Sequence, residues 1–324
     1  MKSVTVSANA AQGLTCFHQY RDPALKTLTI DMLYTALESF QTTTTLTRFD
    51  DDYSDVTMAK SGSKLKPAYQ YLDSITNLPI RIKTENNFES DIGLASSASG
   101  YACIAGAASR LLSMSEDISD ISRLARKGSF SASASVPGGI SIVRSSDIGV
   151  PTFGEQIFQP NDLQDLTVVV ALSRYHKANH NFYKEAASSP VIDQIRDVVA
   201  GTANQMIRAI ETRDVDWLAN MSEQHSILNY AVLHTGENNL FLWQPETVAV
   251  MNYVRNLRKQ EAEPVFYSMN TGANVFIYCF SEKAKQKIES ALQDLSVESL
   301  CSKVGGPLRY IDTPFSLDIL PSEI

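Results

Sequence analysis

A run of small residues at 86–101, Asn-Asn-Phe-Glu-Ser-Asp-Ile-Gly-Leu-Ala-Ser-Ser-Ala-Ser-Gly-Tyr, constrains the fold of this chain more than any other feature. A strand-like run at 78–84 precedes it, and an alanine-rich helix is predicted over 101–112. Free N–H groups and the positive end of the helix dipole favour an anion at a helix N-terminus. Small side chains let that anion approach the main chain. The pattern therefore predicts a phosphate-binding loop between a strand and a helix.

The predicted phosphate site is a run of eight residues, whose serine hydroxyls add groups for phosphate oxygens or metal-bound water. It comprises Gly93, Leu94, Ala95, Ser96, Ser97, Ala98, Ser99 and Gly100. Ser97 is also a candidate substrate contact and a candidate metal ligand. The run matches neither Gly-x-x-x-x-Gly-Lys-Ser/Thr nor Gly-x-Gly-x-x-Gly, so neither of those nucleotide fingerprints applies. The alternative is a packed glycine- and alanine-rich start of a helix.

The charge and composition of the chain limit the classes of protein to which it can belong. The 324 residues suffice for a large core in one domain or two lobes. A net charge of −8 argues against nucleic acid or an anionic membrane as the main partner. No apolar run reaches membrane-spanning length, and residues 1–20 lack a signal-peptide layout. Together with four dispersed cysteines, this indicates a cytoplasmic protein with reduced thiols.

Strand and helix patterns mix without strict alternation, which favours an α+β fold over a doubly wound sheet. The predicted strands lie at 4–8, 42–48, 78–84, 138–143, 166–172, 264–269, 275–280 and 308–311. The predicted helices lie at 66–76, 101–112, 117–127, 191–210, 215–233, 245–258 and 281–295. Ser115 is the predicted N-cap of the third helix. We place the domain boundary near 160–166, which divides the chain into 1–165 and 166–324.

Four segments, in order along almost the whole chain, carry a family resemblance. They are Asn-Asn-Phe at 86–88 with Gly-Leu-Ala-Ser-Ser-Ala-Ser-Gly at 93–100, Arg-Lys-Gly-Ser-Phe-Ser-Ala-Ser-Ala-Ser-Val-Pro-Gly-Gly at 126–139, Met-Asn-Thr-Gly-Ala-Asn-Val at 269–275, and Val-Gly-Gly-Pro at 304–307. On these residues the chain resembles the diphosphomevalonate decarboxylases of the GHMP kinase superfamily. The resemblance implies a two-lobed α+β fold with a cleft between an N-terminal nucleotide-binding domain and a C-terminal domain.

The resemblance also implies a reaction. ATP phosphorylates the tertiary hydroxyl of mevalonate diphosphate, and this phosphate leaves as the carboxylate is lost, which gives isopentenyl diphosphate for isoprenoid synthesis. The implied cofactors are ATP and Mg²⁺, and the implied partner is a phosphorylated small molecule, with no nucleic acid and no membrane. A homodimer is left open. The protein's task in such a reaction is mainly positioning and electrostatic stabilisation.

At several positions that carry the family's chemistry, this chain has a different residue. The family's Ile-Lys-Tyr-Trp-Gly-Lys-Arg-Asp stands here as Thr-Cys-Phe-His-Gln-Tyr-Arg-Asp at 15–22, so Cys16 and Tyr20 occupy two lysine positions. The substrate-clamping arginine falls at Ala134, and the essential aspartate falls at Asn270. An asparagine cannot take the substrate proton. We therefore expect very slow or no turnover of mevalonate diphosphate, although Asn270 remains the residue at the catalytic position.

The predicted substrate pocket lies between residues 14–22, 129–135 and 270–274. Its expected contacts are Tyr20, Arg21, Ser97, Ser129 and Ser131. For the last two serines the alternative is a turn hydroxyl, and for Asn270 it is a purely structural role in a turn. The candidate replacement cations are Arg21, Lys26, Arg144 and Lys177, with ordinary surface charge as the alternative for each.

Three further features suggest no site. His176 and His180 have metal-ligand spacing, but their sequence context favours an exposed loop. Cys16 and His18 are interpreted as too isolated for a catalytic pair. The acidic run at 50–52 is interpreted as a solvated loop.

Three functions remain open. The first is an ATP-dependent decarboxylase with altered substrate handling. The second is a kinase that phosphorylates a mevalonate-like hydroxyl and stops, as in a related mevalonate 3-kinase branch that also lacks the aspartate. The third is a binding protein that kept the fold and lost catalysis. Nucleotide binding separates the third from the others, and release of CO₂ separates the first from the second.

Overall fold

A computed structural model describes residues 2–49, 65–89, 92–173, 181–270 and 272–312. Twelve strands lie within these ranges. In chain order β1 to β12 are Lys2–Gly13, Tyr20–Asp22, Thr27–Leu28, Met32–Arg48, Ile80–Asn86, Ile140–Val143, Gly154–Phe158, Thr167–Ala171, Val265–Ser268, Val275–Cys279, Ser299–Ser302 and Arg309–Ile311. The acidic run at 50–52 and the residues His176, Lys177 and His180 fall outside the described part of the chain.

Ten α-helices lie within the same ranges. In chain order α1 to α10 are Lys66–Asp73, Ser96–Leu111, Ile118–Gly128, Ala132–Ser135, Phe182–Ala187, Ile192–Val199, Thr202–Glu211, Val215–His234, Pro245–Glu261 and Glu282–Asp294. A short 3₁₀ helix, Pro160–Leu163, precedes β8. None of the described helices is long and apolar enough to cross a bilayer.

The first lobe is built on an antiparallel sheet in the order β12-β1-β4-β6-β7, with β5 paired to the far half of β4. Strand β4 is central because its first residues pair with β6 and its threonine-rich end pairs with β5. The hydroxyls of Thr5 and Thr45 lie 2.8 Å apart across β1 and β4, and those of Ser3 and Thr47 lie 2.9 Å apart across the same strands. Strand β12, in a segment predicted to be a strand, pairs with β1 at the edge of the sheet.

Helix α2 packs its alanine-rich face on this sheet, where small side chains permit close approach of helix and strands. A Cβ added at Gly106 would lie 2.7 Å from Cδ1 of Leu308. The helix begins at Ser96 rather than at residue 101, which corrects the predicted start. Ala95 adopts a left-handed φ of 57° immediately before it, so the serines form the first turn of the helix and not the preceding loop.

The second lobe is built on an antiparallel sheet in the order β11-β8-β10-β9, with helices packed against it. Strand β8 is fully buried, which its continuous apolar run predicts. The fold is therefore α+β with two lobes. The boundary near residue 165 stays a prediction, and strand β12, from the C-terminal part of the chain, belongs to the sheet of the first lobe.

Two further local predictions were wrong. The helix predicted over 191–210 is two helices, α6 and α7, separated at Gly201 with a left-handed φ of 83°. Asp117, not Ser115, caps α3, because its extended backbone lets its carboxylate accept the N–H of Ser119 at 2.8 Å. Ser115 instead accepts the N–H of Asp117.

Candidate active site

Two neighbouring residues just before α2 line different cavities. Ile92 lines a cavity of about 1040 Å³, and its neighbour Gly93 lines a second cavity of about 550 Å³. Ala95 and Ser97 also line the smaller cavity. The residues just before α2 therefore adjoin both cavities, an arrangement that suits a transfer between two ligands.

The larger cavity lies between the two lobes. One wall is formed by Phe40 and by residues 87–89 from the first lobe, and the other includes Ser173, Glu246 and residues 295–298 from the second. Phe40 and Phe88 meet edge to face, with their ring centroids 5.9 Å apart. The cavity combines aromatic surface with carboxylate and hydroxyl groups, which suits a flat ring joined to a sugar.

The smaller cavity brings together the three segments predicted to form the substrate pocket. Its wall includes Cys16, His18 and Tyr20 from the first segment, Ser129 and Ser131 from the second, and Asn270 from the third. Phe182 and Tyr183 of α5 also line it, together with Lys26 and Tyr34. Asn270 and Ser131, distant in sequence, therefore share one cavity.

The start of α2 fits a phosphate group through its main chain. No side chain caps this helix, so its first N–H groups receive no side-chain acceptor. Gly93 has φ +82°, and a Cβ there would lie 2.8 Å from Nδ2 of Asn274. The position therefore requires glycine both for its backbone conformation and for its close contact.

The eight predicted phosphate-site residues do not face the same way. Ser97 is exposed and lines the smaller cavity, whereas Leu94 and Ala98 are buried, which leaves those two only their main-chain groups for a ligand. Ser99 is fully buried, and its hydroxyl lies 2.6 Å from that of Thr42. Ser96 and Gly100 are half-buried. The hydroxyl of Ser97 is thus better placed for a ligand than that of Ser99.

Lys26 is the only lysine or arginine among the described residues that line the smaller cavity. Its Nζ donates to the carbonyls of Lys127 and Gly128, at 2.8 Å and 2.7 Å, at the C-terminal end of α3. Burial lowers the pKa of this ammonium. The adjacent hydroxyls of Ser129 and Ser131 lie 3.2 Å apart. This corner of the cavity offers one cation and two hydroxyls to an anion.

Two of the other candidate cations, Arg21 and Arg144, do not line this cavity, and Lys177 lies outside the described residues. Arg21 is exposed and does not line the cavity, so its substrate contact stays a prediction. Arg144 pairs with Asp31 at 3.3 Å and with Glu155 at 3.8 Å. Ala134, at the family's arginine position, is buried and apolar.

Tyrosines form much of the remaining wall. Tyr20 stacks on Tyr183, with ring centroids 3.8 Å apart and planes 6° from parallel. Burial raises the pKa of Tyr20, Tyr183 and Tyr34, so all three hydroxyls are neutral near pH 7. They can donate hydrogen bonds to a substrate without repelling its negative charge.

Cys16 and His18 are not isolated from other polar groups, whereas the interpretation that they form no catalytic pair stays a prediction. Sγ of Cys16 lies 2.6 Å from Oδ1 of Asn270 and 3.6 Å from Nε2 of His18. Nδ1 of His18 lies 3.1 Å from Oδ1 of Asn229, a residue of α8 that the sequence did not suggest. The available signal was the spacing of residues 16 and 18, since residues two apart lie on one side of an extended segment.

A second histidine, His225, contacts the main chain of this segment. Nε2 of His225 lies 3.1 Å from both the backbone N and the backbone O of Cys16. Burial lowers the pKa of His225 to about 4, so the ring is neutral at pH 7. His225 therefore fixes the main chain at Cys16 without placing a charge behind the cavity.

The described residues do not form a metal site made of protein side chains alone. Among the described residues no group of three or more His, Cys, Asp or Glu side chains can hold a metal ion. Mg²⁺ is commonly held by one or two protein ligands together with water and nucleotide phosphates. The exposed hydroxyl of Ser97 beside the uncapped helix fits that mode of binding.

Sequence comparisons identify related proteins. Residues 8–150 match the family model described as the diphosphomevalonate decarboxylase-like N-terminal domain. The phosphomevalonate decarboxylase of Haloferax volcanii is 30% identical over 318 residues, covering 95% of this chain and 97% of that protein. The diphosphomevalonate decarboxylase of Ganoderma lucidum is 26% identical over 230 residues, covering 67% of this chain and 58% of that protein.

Solved structures show the same fold. Mevalonate diphosphate decarboxylase from Staphylococcus aureus matches with a TM-score of 0.86 at 23% identity, over 96% of this chain and 98% of that one. The Enterococcus faecalis enzyme, whose ATP binding is mediated by mevalonate diphosphate, matches with a TM-score of 0.85 at 22% identity, over 96% of this chain and 99% of that one. Mevalonate-3-kinase from Thermoplasma acidophilum matches with a TM-score of 0.76 at 15% identity, over 96% of this chain and 98% of that one.

Proposed function

Because this chain belongs to the diphosphomevalonate decarboxylase family, within the GHMP kinase superfamily, we propose that it is an ATP-dependent decarboxylase acting on mevalonate 5-phosphate. The products would be isopentenyl phosphate, CO₂, ADP and inorganic phosphate. The observation that carries this choice of substrate is the charge of the smaller cavity, where Lys26 is the one ammonium or guanidinium among the described lining residues.

A single cation suits a monophosphate better than a diphosphate. A second phosphate group brings further negative charge, and charge-assisted hydrogen bonds from additional cations are the usual way to hold it. The chain has neutral residues at the three family positions where such cations are expected, namely Cys16, Tyr20 and Ala134. The name of the Haloferax volcanii relative, phosphomevalonate decarboxylase, supports the same choice.

The two cavities suggest how the ligands are arranged. We place the nucleotide base and sugar in the larger cavity and the phosphorylated acceptor in the smaller one. The ATP phosphates would then lie at Gly93–Ser97 and the N-terminus of α2, between the two ligands. Such positioning of donor and acceptor can supply a large share of the rate of a phosphoryl transfer.

The acceptor would be held by groups at one end of its cavity. Lys26, Ser129 and Ser131 would bind the 5-phosphate, and Tyr20 would donate a further hydrogen bond. Mg²⁺, bound with ATP and contacting Ser97, would neutralise charge on the transferred phosphoryl group. ATP and Mg²⁺ are thus the proposed cofactors, while a homodimer and a cytoplasmic location stay predictions.

The proposal is tested by turnover of three acceptors that differ only in phosphorylation. The purified protein with ATP and Mg²⁺ is given mevalonate, mevalonate 5-phosphate or mevalonate 5-diphosphate, and ADP, CO₂ and the isopentenyl product are each measured. We expect the 5-phosphate to give equal amounts of ADP and CO₂. No turnover with any acceptor, while ADP-forming turnover is seen in a family enzyme assayed in parallel, would overturn the proposal.

A kinase that stops after phosphorylation is the second candidate. Asn270 favours it, because the family's aspartate is missing at the position where the acceptor hydroxyl would lie. The structural similarity to a mevalonate-3-kinase is compatible with either candidate, since at 15% identity it establishes only the fold. The same assay separates the two, because a kinase alone would release ADP without CO₂ and accumulate a 3-phosphorylated acceptor.

A further inference from the structure

Glu246 is a half-buried residue in the wall of the larger cavity, and hydrogen bonds connect it to the phosphate loop at residues 93–97. We propose that Glu246, held by Ser173, accepts hydrogen bonds from the ribose hydroxyls of the nucleotide and so selects ribonucleotides over deoxyribonucleotides. The inference rests on the proposed function, because it takes the nucleotide to occupy the larger cavity. Glu246 is a specificity-determining residue in this scheme, and Ser173 is a positioning residue.

Three hydrogen bonds connect Glu246 to the phosphate loop. Oγ of Ser173 donates to Oε1 of Glu246 at 3.2 Å, and the N–H of Ser173 donates to Oδ1 of Asn274 at 2.9 Å. Nδ2 of Asn274 donates in turn to the carbonyl of Ile92 at 2.6 Å, immediately before Gly93. Ile92, Ser173 and Glu246 all line the larger cavity, so this series of contacts begins and ends at its wall.

The covalent order of a nucleotide places its sugar next to its phosphates. With the ATP phosphates at residues 93–97, the ribose is the first group to enter the larger cavity, and the base lies beyond it. Ser173 and Glu246, which are connected to the residue before the loop, are therefore expected beside the ribose rather than beside the base. Phe40 and Phe88, whose rings meet edge to face, offer the aromatic surface that suits the base.

The main chain at Glu246 is fixed by the start of its helix. Glu246 lies in the first turn of α9, where the positive end of the helix dipole favours a carboxylate. The hydroxyl of Thr247 accepts the N–H of Gln244 at 3.2 Å and donates to the carbonyl of Ala273 at 2.9 Å. The start of α9 is thus attached to the residue before Asn274. A hydrogen bond to an acceptor that is already held in place costs less ordering entropy, which favours binding.

A carboxylate suits the hydroxyls of a ribose. Its oxygens can accept several hydrogen bonds in total, so the bond from Ser173 does not exhaust the capacity of Glu246 to accept. The 2′ and 3′ hydroxyls lie on adjacent carbons and both can donate, and a hydrogen bond to a charged acceptor is stronger than one between neutral groups. A deoxyribonucleotide lacks the 2′ hydroxyl and therefore loses one of these donors.

The charges of the larger cavity suit a neutral group beside Glu246. Glu89 and Glu298 also line the cavity, and no lysine or arginine is among the described residues of its wall. A phosphate attached to the ribose would lie among carboxylates without a cation, which costs free energy. The wall therefore favours a nucleotide whose 2′ and 3′ hydroxyls are both free.

The test compares a change in the sugar with a change in the base. ATP, 2′-deoxy-ATP and inosine triphosphate, each with Mg²⁺, are titrated into the purified full chain by calorimetry with no acceptor present. We expect ATP to bind roughly 10-fold or more tightly than 2′-deoxy-ATP, the value of one hydrogen bond to a charged group. Equal affinities for ATP and 2′-deoxy-ATP would overturn the inference.

Variants at Glu246 assign the discrimination to its carboxylate. In E246A the ratio of the affinities for ATP and 2′-deoxy-ATP should fall to about 1, whereas E246Q, which keeps a neutral acceptor, should retain part of it. E282A is the matched control, because Glu282 also lies in the first turn of a helix but lines neither of the two cavities. A ratio in E246A as large as in the wild type would overturn the inference. So would an E246A variant that loses only the discrimination between ATP and inosine triphosphate, because the carboxylate would then contact the base.

Ser173 supplies a test of positioning. S173A removes the hydroxyl that donates to Glu246 and keeps the N–H that donates to Asn274. We expect S173A to have an affinity ratio between those of the wild type and E246A, and the double variant to have the same ratio as E246A. A purely structural role of Ser173 would leave the ratio at its wild-type value, which would overturn its assignment as a positioning residue.

These measurements separate the inference from the proposed function, because they need neither an acceptor nor turnover. Equal affinities for ATP and 2′-deoxy-ATP in a protein that decarboxylates mevalonate 5-phosphate would overturn the inference alone. A preference for ATP in a protein that turns over no acceptor would overturn the proposed reaction and support the ribose contact. The wild-type comparison and E246Q decide the point even if E246A folds poorly. Absence of binding by all three nucleotides would overturn the placement of the nucleotide itself.

Discussion

The side chain of Asn274 joins the two lobes at the proposed nucleotide site. Its Nδ2 donates to the carbonyl of Ile92 at 2.6 Å, and its Oδ1 accepts the N–H of Ser173 at 2.9 Å. Ile92 precedes the glycine that begins the phosphate loop, and Ser173 follows β8. The position of the loop is therefore set by the second lobe as well as by its own sequence.

Two glycines allow the role of this contact to be measured. Gly93 and Gly149 have nearly equal φ angles, +82° and +83°, but a Cβ at Gly93 would meet Asn274 at 2.8 Å while one at Gly149 would meet nothing within 4 Å. We expect both alanine variants to lose roughly 1 kcal/mol or more of unfolding free energy from backbone strain. Only Gly93→Ala should weaken ATP binding, as measured by calorimetry, and equal ATP affinities in the two variants would contradict the proposed contact.

The serines of the first helical turn should separate binding from stability. Ser97→Ala removes an exposed hydroxyl from the cavity wall, so we expect Mg²⁺–ATP binding to weaken by about 1 kcal/mol with little change in thermal stability. Ser99→Ala removes a buried hydroxyl that contacts Thr42, so it should lower the melting temperature and leave the affinity nearly unchanged. Calorimetry and thermal unfolding of both variants check this, and the reverse pattern would exclude Ser97 from the site.

Lys26 should determine affinity for the 5-phosphate of the acceptor. We expect Lys26→Met to weaken binding of mevalonate 5-phosphate by roughly 1.5–3 kcal/mol, the usual value of a hydrogen bond to a charged group, and to leave ATP binding unchanged. Lys127→Met is the matched control, since Lys127 is exposed and lies outside the cavity wall. Equal affinities of the two variants for mevalonate 5-phosphate would show that the phosphate binds elsewhere.

His225 should make the fold less stable in acid. Its pKa is lowered to about 4 from the ordinary 6.5, so between these values the unfolded chain binds a proton that the folded chain does not. The free energy of unfolding should therefore fall as the pH is lowered from 6.5 to 4, by roughly 3 kcal/mol at most for this group. His225→Gln should show a smaller slope in this range, as measured by denaturant unfolding at several pH values. Parallel slopes for variant and wild type would contradict the assignment.

The fold followed from local sequence patterns where these were long and regular. The threonine-rich half of β4, the apolar strand β8 and the amphipathic helices matched their predicted positions to within a few residues. The short strands β7 and β11 were missed, because a few mixed residues at a sheet edge carry no clear alternation. The break at Gly201 was also missed, since a single glycine inside a helical pattern does not by itself end a helix.

The sequence predicted which segments form the site, but it did not predict the hydrogen bonds between their side chains. The resemblance brought residues 14–22, 129–135 and 270–274 to one pocket, and all three contribute to the wall of the smaller cavity. Asn229 carried no signal, because it lies within a long helix and reaches His18 only through the packing of α8 against the first lobe. The burial of Ser99 likewise depends on its contact with Thr42 in β4, which the serine-rich sequence of the loop does not reveal.

The most direct test of the account is a competition between mevalonate 5-phosphate and mevalonate 5-diphosphate in one reaction. Equal concentrations of both are mixed with limiting enzyme, ATP and Mg²⁺, and the initial ratio of isopentenyl phosphate to isopentenyl diphosphate gives the ratio of the two kcat/KM values. The single lysine or arginine among the described residues that line the acceptor cavity predicts a ratio of roughly 10 or more, the value of one charge-assisted hydrogen bond. An excess of isopentenyl diphosphate would contradict the account.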